Sequence, residues 1–185
     1  MTATVAAIVP AWNEEKTVGT VVRTLALSGV FNEIVVVSDG STDGTAEEAR
    51  RAGATAVIVL PERTGKGNVL QVGVAQTSAP ILFFADADLR GFSIAHITAL
   101  LEPVQKGETM MTVGLRDRGG VPVVARGVFA ADRRRARVTA RGFFGHTGQV
   151  FERVPGGSGV ELPLPPAPLA VSRNCATRTD YPQEV

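Results

Sequence analysis

The chain has little cysteine and no long apolar run, and both features narrow its possible functions. Cys175 is the one cysteine among 185 residues, so no disulfide forms within the chain. Nowhere do about eighteen apolar residues follow one another, which excludes a helix that crosses a bilayer unaided. No charged segment followed by an apolar one opens the sequence, so we expect a cytoplasmic protein with at most peripheral membrane contact on the cytoplasmic face.

The net charge is also small, and the basic residues and prolines are unevenly distributed along the chain. The formal net charge is +1, with 44% hydrophobic and 20% charged residues, a balance typical of ordinary globular proteins that gives no indication of nucleic-acid binding. Lysine is absent from residues 116–185, where all 11 basic residues are arginine and 7 of the 11 prolines lie. We therefore predict an organised core over residues 1–120 and an Arg- and Pro-rich segment over residues 121–185.

Short apolar runs alternate with segments of helical spacing along the first part. The predicted strands are Thr4–Val9, Glu33–Val37, Thr55–Leu60, Pro80–Ala85 and Thr109–Val113, and the predicted helices are Glu14–Leu27, Thr45–Ala52, Gly67–Thr77 and Ser93–Gln105. This order predicts an α/β fold, with a mostly parallel sheet and helices on both faces. His96 falls among apolar positions of the last helix, so we expect it at the edge of the core.

Polar residues follow the first two predicted strands. Asn13, Glu14 and Glu15 come after the first strand, and Asp39 and residues 41–43 come after the second. Taken singly, most of them would serve as helix caps. Asp39 precedes the capping position and has no helix of its own to cap, so it is able to accept hydrogen bonds from a base or a ribose. Since ligands of such sheets bind beyond the carboxyl ends of the strands, we expect a binding crevice here.

The fourth predicted strand is followed by two carboxylates, Asp86 and Asp88. They would repel each other unless a divalent cation or hydrogen-bond donors offset the charge. Mg²⁺ or Mn²⁺, held by one or two carboxylates and by phosphate oxygens, is the simplest partner, and a solvated turn is the alternative. Lys66, between Gly65 and Gly67 at the start of the third helix, is placed to contact a phosphate.

Two common nucleotide-binding folds are excluded by their missing glycine patterns. Asn68 follows Gly67 and no earlier glycine has the required spacing, so there is no Walker A loop. Nor does Gly-x-Gly-x-x-Gly follow the first strand, which argues against a dehydrogenase. A nucleotidyltransferase is disfavoured because residues 10–14 contain no glycine-rich, arginine-bearing phosphate loop.

Four segments, in this order and spacing, resemble the family 2 glycosyltransferases: Ile8–Glu15, Val35–Thr45, Gly65–Gly67 and Phe84–Leu89. The resemblance covers roughly residues 4–120. It implies the GT-A fold of nucleotide-diphospho-sugar transferases and a nucleotide-sugar donor bound with Mg²⁺ or Mn²⁺. The likeness is greatest to members that act on polyprenyl phosphate or phosphoglycerate.

The resemblance also implies roles for individual residues. Asp86 and Asp88 would form the metal-binding Asp-x-Asp motif, with Asp88 as the direct ligand and catalytic carboxylate. Trp12 is expected to pack beside the nucleotide pocket and not to stack on a base. The implied substrate-binding residues are Pro10, Asn13 and Glu14 in the nucleoside pocket, Asp39 on the base, Lys66 near base or phosphate, Asp86 beside the metal, and Arg116 on a phosphate through a Gly-x-Arg match. A solvated turn next to Asp117 is the alternative for Arg116.

The sequence departs from the family pattern at two places. Ser38 stands where the family usually has the first of two acidic residues. No clear general base follows residue 120. Glu161 is one candidate, with a loop salt bridge as its alternative, and Asp117, after the fifth predicted strand, is another. His146 is a candidate third metal ligand, with a surface or turn position as the favoured alternative. Residues 121–185 are therefore expected to be either the acceptor side or a degenerate, frameshifted tail.

The expected function is transfer of a sugar from a nucleotide-diphospho-sugar to a hydroxyl or phosphate, placing the enzyme among the hexosyltransferases (EC 2.4). The acceptor is left open among polyprenyl phosphate, phosphoglycerate and a glycan. A phosphate acceptor needs no general base, and the arginines of the second part would attract such an anion. The alternative is a catalytically inactive or truncated remnant that only binds nucleotide-sugars.

Overall fold

A computed structural model describes residues 3–118, 121–133, 161–162 and 169–172. For residues 115–118, 121–127, 161–162 and 169–172 it describes the backbone alone. The strands are β1 (Val5–Ala11), β2 (Glu33–Asp39), β3 (Ala56–Leu60), β4 (Ile81–Ala85), β5 (Met111–Arg118), β6 (Val121–Asp132), β7 (Glu161–Leu162) and β8 (Leu169–Ser172). The helices are α1 (Val18–Ser28), α2 (Thr45–Arg51), α3 (Lys66–Ala75) and α4 (Ile94–Gln105).

The strands form one sheet in the order β3-β2-β1-β4-β6-β5-β8-β7. Strands β1 to β4 are parallel neighbours, joined by helical crossovers. β6 lies antiparallel between β4 and β5, so β5 runs in the same direction as β4 without touching it. The predicted α/β fold with a mostly parallel sheet is confirmed, although β6, β7 and β8 were not predicted.

Helices cover both faces of the sheet, as predicted. On one face α1, α2 and α4 bury apolar side chains such as Val21, Leu25 and Ile97 against β1 and β4. On the other face α3 packs against β1 and β2 through Val69 and Leu70. Burial of this apolar surface in two layers is the main source of the fold's stability. Among the described residues no helix has the length and apolarity needed to cross a membrane.

The first two strands are longer than predicted, and the first helix is shorter. Pairing continues to Ala11 opposite Ser38, so the loops that carry the polar residues start two residues later in each strand. The carbonyl of Glu14 accepts the N–H groups of Thr17 and Val18, and regular helix begins at Val18. These shifts place the polar residues in loops at the carboxyl edge of the sheet.

β6 begins directly after the proposed boundary at residue 120. It pairs along the whole of β4, from Ile81 opposite Asp132 to Ala85 opposite Val128. The ring of Phe129 stacks on that of Phe84 at 4.2 Å between centroids. The sheet therefore continues past residue 120, and the division of the chain into residues 1–120 and 121–185 stays a prediction.

His96 is more deeply buried than the core-edge position predicted for it, with 1% exposure. Its Nδ1 accepts the backbone N–H of Ser93, the residue that precedes α4. Among the described residues no partner reaches its Nε2. Burial lowers the pKa of this imidazole, so the side chain is a neutral group that fixes the start of α4.

Candidate active site

A cleft of about 210 Å³ lies at the carboxyl ends of β1 to β4. The loops after these four strands supply its walls, as expected for a parallel α/β sheet. It brings together six of the predicted site residues, which are Pro10, Glu14, Asp39, Lys66, Asp86 and Asp88. The other lining residues are Ala11, Trp12, Arg63, Val69 and Ala87.

Carboxylates crowd the β4 side of the cleft. Asp86 forms an ion pair with Lys66, at 2.5 Å between Oδ1 and Nζ. Burial raises the pKa of Asp86, the Lys66 ammonium lowers it in part, and the nearby charges of Asp88 and Glu14 raise it further. Negative charge is thus held at a partly buried position, where a bound cation would relieve the repulsion.

The donor set here fits a hard divalent cation that shares its ligands with a substrate. Within the described part of the chain no three His, Cys, Asp or Glu side chains form a ready metal cage. Asp86 and Asp88 offer carboxylate oxygens, and Mg²⁺ or Mn²⁺ is commonly held by one or two carboxylates together with phosphate oxygens. The remaining ligands would therefore come from a diphosphate and water.

Asp39 is buried and fastens the loop that follows β3. Its carboxylate accepts the N–H of Thr64 at 2.7 Å, the hydroxyl of Thr64 at 2.9 Å and the N–H of Gly65 at 2.9 Å. Gly65 is the residue before α3. Asp39 caps no helix of its own, and it holds the loop that leads into α3. Its contact with a base stays a prediction.

Asn13 joins the loops after β1 and β2. Its backbone has a positive φ of 52°, which asparagine tolerates better than most residues. The Asn13 N–H donates to Ser41 Oγ, and its own Oδ1 accepts the N–H of Thr42 at 2.9 Å. The side chain is not among those that line the cleft. Asn13 thus connects the two loops by hydrogen bonds, and its predicted place in the nucleoside pocket stays a prediction.

The same pair of loops is joined by two further bonds. The N–H of Glu14 donates to Thr45 Oγ1 at 2.8 Å, and the N–H of Glu15 donates to Asp43 Oδ2 at 3.2 Å. Asp43 also accepts the N–H of Thr45 at the start of α2, as predicted. Burial raises the pKa of Asp43, but the hydrogen bonds from Thr45 and Glu15 outweigh it and the net shift is downward. The loops after β1 and β2, which line the cleft, are therefore connected by hydrogen bonds.

Ser38, which stands where the resemblance implies an acidic residue, is fully buried in the sheet. Its hydroxyl donates to Ser41 Oγ at 2.8 Å, and Ser41 in turn accepts the N–H of Asn13. Ser38 therefore belongs to the hydrogen bonds that connect the loops after β1 and β2.

Arg63 is the cleft residue that sequence reasoning missed. Its guanidinium carbon lies 3.6 Å from the centre of the Trp12 ring, which is a cation–π contact. Trp12 packs beside the cleft as expected, and 43% of its surface is exposed. In the sequence, Arg63 stands two residues before Gly65, which was the signal available for finding it. Its position in the cleft depends on the hydrogen bonds that Asp39 accepts from that loop.

The remaining candidates lie away from the cleft or outside what is described. Arg116 and Asp117 belong to β5, two strands from β4 in the sheet, and only their backbone is described. Glu161 lies in β7 at the far edge, four strands from β4, also with its backbone alone described. His146 lies outside the described residues. The roles of these four residues stay predictions.

Comparison with known proteins identifies relatives that are similar over part of the chain. Glucosyl-3-phosphoglycerate synthase of Mycolicibacterium smegmatis is 41% identical over 109 residues, covering 55% of this chain and 36% of that protein. The 4,4'-diaponeurosporenoate glycosyltransferase of Staphylococcus aureus is 37% identical over 86 residues, covering 44% of this chain and 23% of that protein. The chain thus spans well under half the length of these curated relatives.

Solved structures show the same architecture. Glucosyl-3-phosphoglycerate synthase of Mycobacterium tuberculosis, in complex with phosphoglyceric acid, matches with a TM-score of 0.62 and 28% identity. The match covers 71% of this chain and 57% of that one. The same enzyme in complex with Mn²⁺, UDP-glucose and phosphoglyceric acid matches with a TM-score of 0.60 and 27% identity, over the same shares. The expected GT-A fold is confirmed by these matches.

The model of the family described as glycosyl transferase family 2 matches residues 6–153, most of the chain and all of the loops that line the cleft. This protein belongs to glycosyl transferase family 2.

Proposed function

We propose that the protein transfers glucose from UDP-glucose to a phosphoglycerate-type acceptor with a divalent cation. The observation that carries the transferase assignment is the convergence of Lys66, Asp86 and Asp88 in one cleft at the carboxyl ends of parallel strands. The choice of UDP-glucose, Mn²⁺ and a phosphoglycerate is supported by the M. tuberculosis enzyme, whose structure was solved with all three.

In this proposal two carboxylates bind the cation and one ammonium binds the diphosphate. Asp86 and Asp88 would hold the cation, with Asp88 as the direct ligand. When bound, the cation offsets the charge that develops on the leaving nucleoside diphosphate. Lys66 lies at the N-terminus of α3 beside Asp86. Its ammonium and the first N–H groups of that helix would both favour a bound diphosphate. These residues orient the diphosphate and favour its departure.

The bond changes are those of a glycosyl transfer. An acceptor oxygen forms a bond to the anomeric carbon, the bond from that carbon to the diphosphate oxygen breaks, and its electron pair leaves with UDP. A phosphate oxygen attacks without losing a proton, whereas a hydroxyl must pass its proton to a base. Glu161 and Asp117 remain the candidates for that base.

Nucleotide binding tests the donor site. Thermal unfolding is followed with UDP-, GDP- and ADP-glucose, each with Mn²⁺ or with a chelator, at about 100 times the Kd. We expect UDP-glucose with Mn²⁺ to raise Tm by about 5–10 °C, because a ligand at that excess stabilises by about 2.7 kcal/mol. Chelation should remove the shift.

Two variants locate the metal. Asp88→Asn should lose the Mn²⁺-dependent shift, while Glu102→Gln, on the exposed surface of α4, should keep it. A wild-type protein that is folded yet stabilised by no nucleotide would contradict the proposed function.

Turnover then tests transfer. UDP release is measured with 3-phosphoglycerate, a polyprenyl phosphate and an oligosaccharide as acceptors, and the product is identified by mass spectrometry. Release that depends on 3-phosphoglycerate would support the proposed acceptor. Donor binding with transfer to none of them would favour the alternative of a nucleotide-sugar-binding remnant.

A further inference from the structure

Strand β3 forms one edge of the sheet, and within the described residues it pairs with β2 alone. Alternate residues of an edge strand direct their N–H and C=O groups away from the sheet, where a second strand is able to pair with them. Proteins usually prevent such pairing with charged side chains, prolines or bulges in the edge strand. Residues 54–60 contain no charge and no proline, and the register with β2 runs without a shift from Ala56 to Leu60. β3 therefore lacks these protections.

The side chains of β3 are apolar and incompletely covered. Ala56, Ile58 and Leu60 are half-buried and pack on the face that carries α3. On the opposite face Val57 is half-buried, and Val59 is 51% exposed. A strand paired along this edge would cover these apolar side chains and satisfy the outward backbone groups. The backbone and the side chains of this edge therefore both favour a partner strand.

Helix α2 flanks the same edge and carries charges of opposite sign at its two ends. It packs over β2 and β3, with Glu47 and Glu48 in its first turn and Arg50 and Arg51 in its last turn. Glu48 faces α1, where it pairs with Arg23. Arg50, two residues further along, lies on the opposite side of the helix, toward the β3 edge. Glu47 and Arg50 are both more than half exposed, so a partner at this edge is able to contact them.

These charges match those of a second copy under a two-fold rotation. If two β3 strands pair in antiparallel fashion, the α2 helices of the two copies lie antiparallel on the same face of the joined sheet, about 10–14 Å apart. The acidic first turn of each α2 then lies beside the basic last turn of the other, and Glu47 of one copy is able to reach Arg50 of the other. This charge complementarity, repeated in both directions by the two-fold axis, favours a second copy of the chain over an unrelated strand.

We infer that β3 joins two copies of this chain into a dimer, with the β3 strands antiparallel and the α2 helices side by side around a two-fold axis. The two clefts then lie at opposite edges of the joined sheet, because the strands of the two copies run in opposite directions. The inference concerns assembly and does not depend on the proposed function.

Sedimentation velocity of the whole chain, without nucleotide or metal, measures the assembly. A pair of five-residue strands and one pair of short helices cover less surface than a standard interface of about 1,600 Å². We therefore expect a dissociation constant of about 10–100 µM, which a concentration series from about 2 to 500 µM covers. The sedimenting mass should rise from that of one chain to that of two and stop there, since a two-fold contact closes on itself.

Two kinds of variant locate the interface. Val59→Lys places a charge in the strand pair and should weaken the dimer at least about tenfold. Arg50→Glu places like charges on the facing helices and should weaken it about threefold to tenfold. Glu47→Arg combined with Arg50→Glu restores opposite charges and should return the affinity to within about twofold of the wild type.

The matched control is Ile94→Lys, which should leave the affinity unchanged. Ile94 is also an exposed β-branched residue, at 45%, but it lies at the start of α4, which packs over β4, β5 and β6. All of these variants change exposed residues, and urea unfolding checks that they remain folded.

Amide hydrogen exchange shows whether the contact is strand pairing. In the monomer the amides of β3 that point away from β2 should exchange rapidly. At concentrations where the dimer forms, the same alternate amides should slow by at least about fivefold, and Val59→Lys should abolish the slowing.

Three outcomes would overturn the inference. A chain that stays monomeric up to about 500 µM would exclude the dimer. A dimer that neither Val59→Lys nor Arg50→Glu weakens would use another surface. A dimer in which the β3 amides are not slowed would not form by strand pairing. None of these outcomes bears on donor binding, so the proposed function would stand in each case.

Discussion

Replacing Asp39 tests whether one carboxylate holds the third loop of the cleft. In the wild type this side chain accepts two hydrogen bonds from Thr64 and one from the N–H of Gly65. Hydrogen bonds to a charged acceptor contribute about 1.5–3 kcal/mol each. Thr64 is exposed and Gly65 half-buried, so water replaces part of what is lost. We expect Asp39→Ala to lower the free energy of unfolding by about 3 kcal/mol, well below the sum of three such bonds.

The Asp39→Asn variant should lower the free energy of unfolding by less than Asp39→Ala does. The amide oxygen of Asp39→Asn is able to keep both bonds from Thr64, but its NH₂ group cannot accept the N–H of Gly65. We expect a loss of about 1 kcal/mol in this variant. Urea unfolding gives the two free energies, and hydrogen exchange shows whether the amides of Thr64 and Gly65 lose protection. Glu62→Gln, an exposed change in the same loop, should leave both measurements unchanged.

An unfolding free energy for Asp39→Ala within about 0.5 kcal/mol of the wild type would refute this reasoning. So would amides of Thr64 and Gly65 that remain protected in that variant, because the bonds would then not depend on Asp39.

Three other perturbations test the fold. Gly73→Ala should cost about 1–3 kcal/mol in urea unfolding, since its Cβ would lie 2.5 Å from Ile8 Cγ2 where α3 meets the sheet. Phe129→Ala should cost about 3–5 kcal/mol, because β6 stacks this ring on Phe84 within the core. Burial lowers the pKa of His96 in the folded protein, so the unfolded chain takes up the proton first as pH falls. The free energy of unfolding should therefore be fully present above about pH 6.5 and decrease below it, and His96→Gln should reduce that slope.

Each of these results has a clear contrary outcome. A Gly73→Ala protein as stable as the wild type would mean that α3 does not approach β1 so closely. A loss below about 1 kcal/mol for Phe129→Ala would place that ring outside the core. Equal slopes of stability against pH for the wild type and His96→Gln would show that the imidazole is free to take up a proton in the folded state.

The local part of the fold was predictable because each element carries its own signal. The run from Ile81 to Phe84 is apolar throughout, as a strand buried on both faces requires, and α1 repeats its apolar residues at helical spacing. The site residues followed from the strand ends, since parallel strands deliver their loops to one edge. Asp39, Lys66, Asp86 and Asp88 accordingly meet in the cleft.

Strand order was not predictable in the same way. β5 was expected to extend the parallel set, but β6 lies between it and β4. Nothing local distinguishes a strand that pairs with its neighbour in sequence from one that is inserted between two others. The β-branched and aromatic residues of β6 did carry a strand signal, which the proline and arginine content of residues 121–185 outweighed.

The hydrogen bonds among the loops determine how variants of the cleft should be interpreted. Asp39 and Asn13 hold loops together, so a loss of binding in their variants follows from displaced loops as readily as from a lost ligand contact. Within the described residues Asp88 forms no hydrogen bond or ion pair that joins two loops, whereas Arg63 packs on Trp12 of another loop. Asp88→Asn is therefore the better variant for testing a ligand contact, namely the proposed contact with the metal.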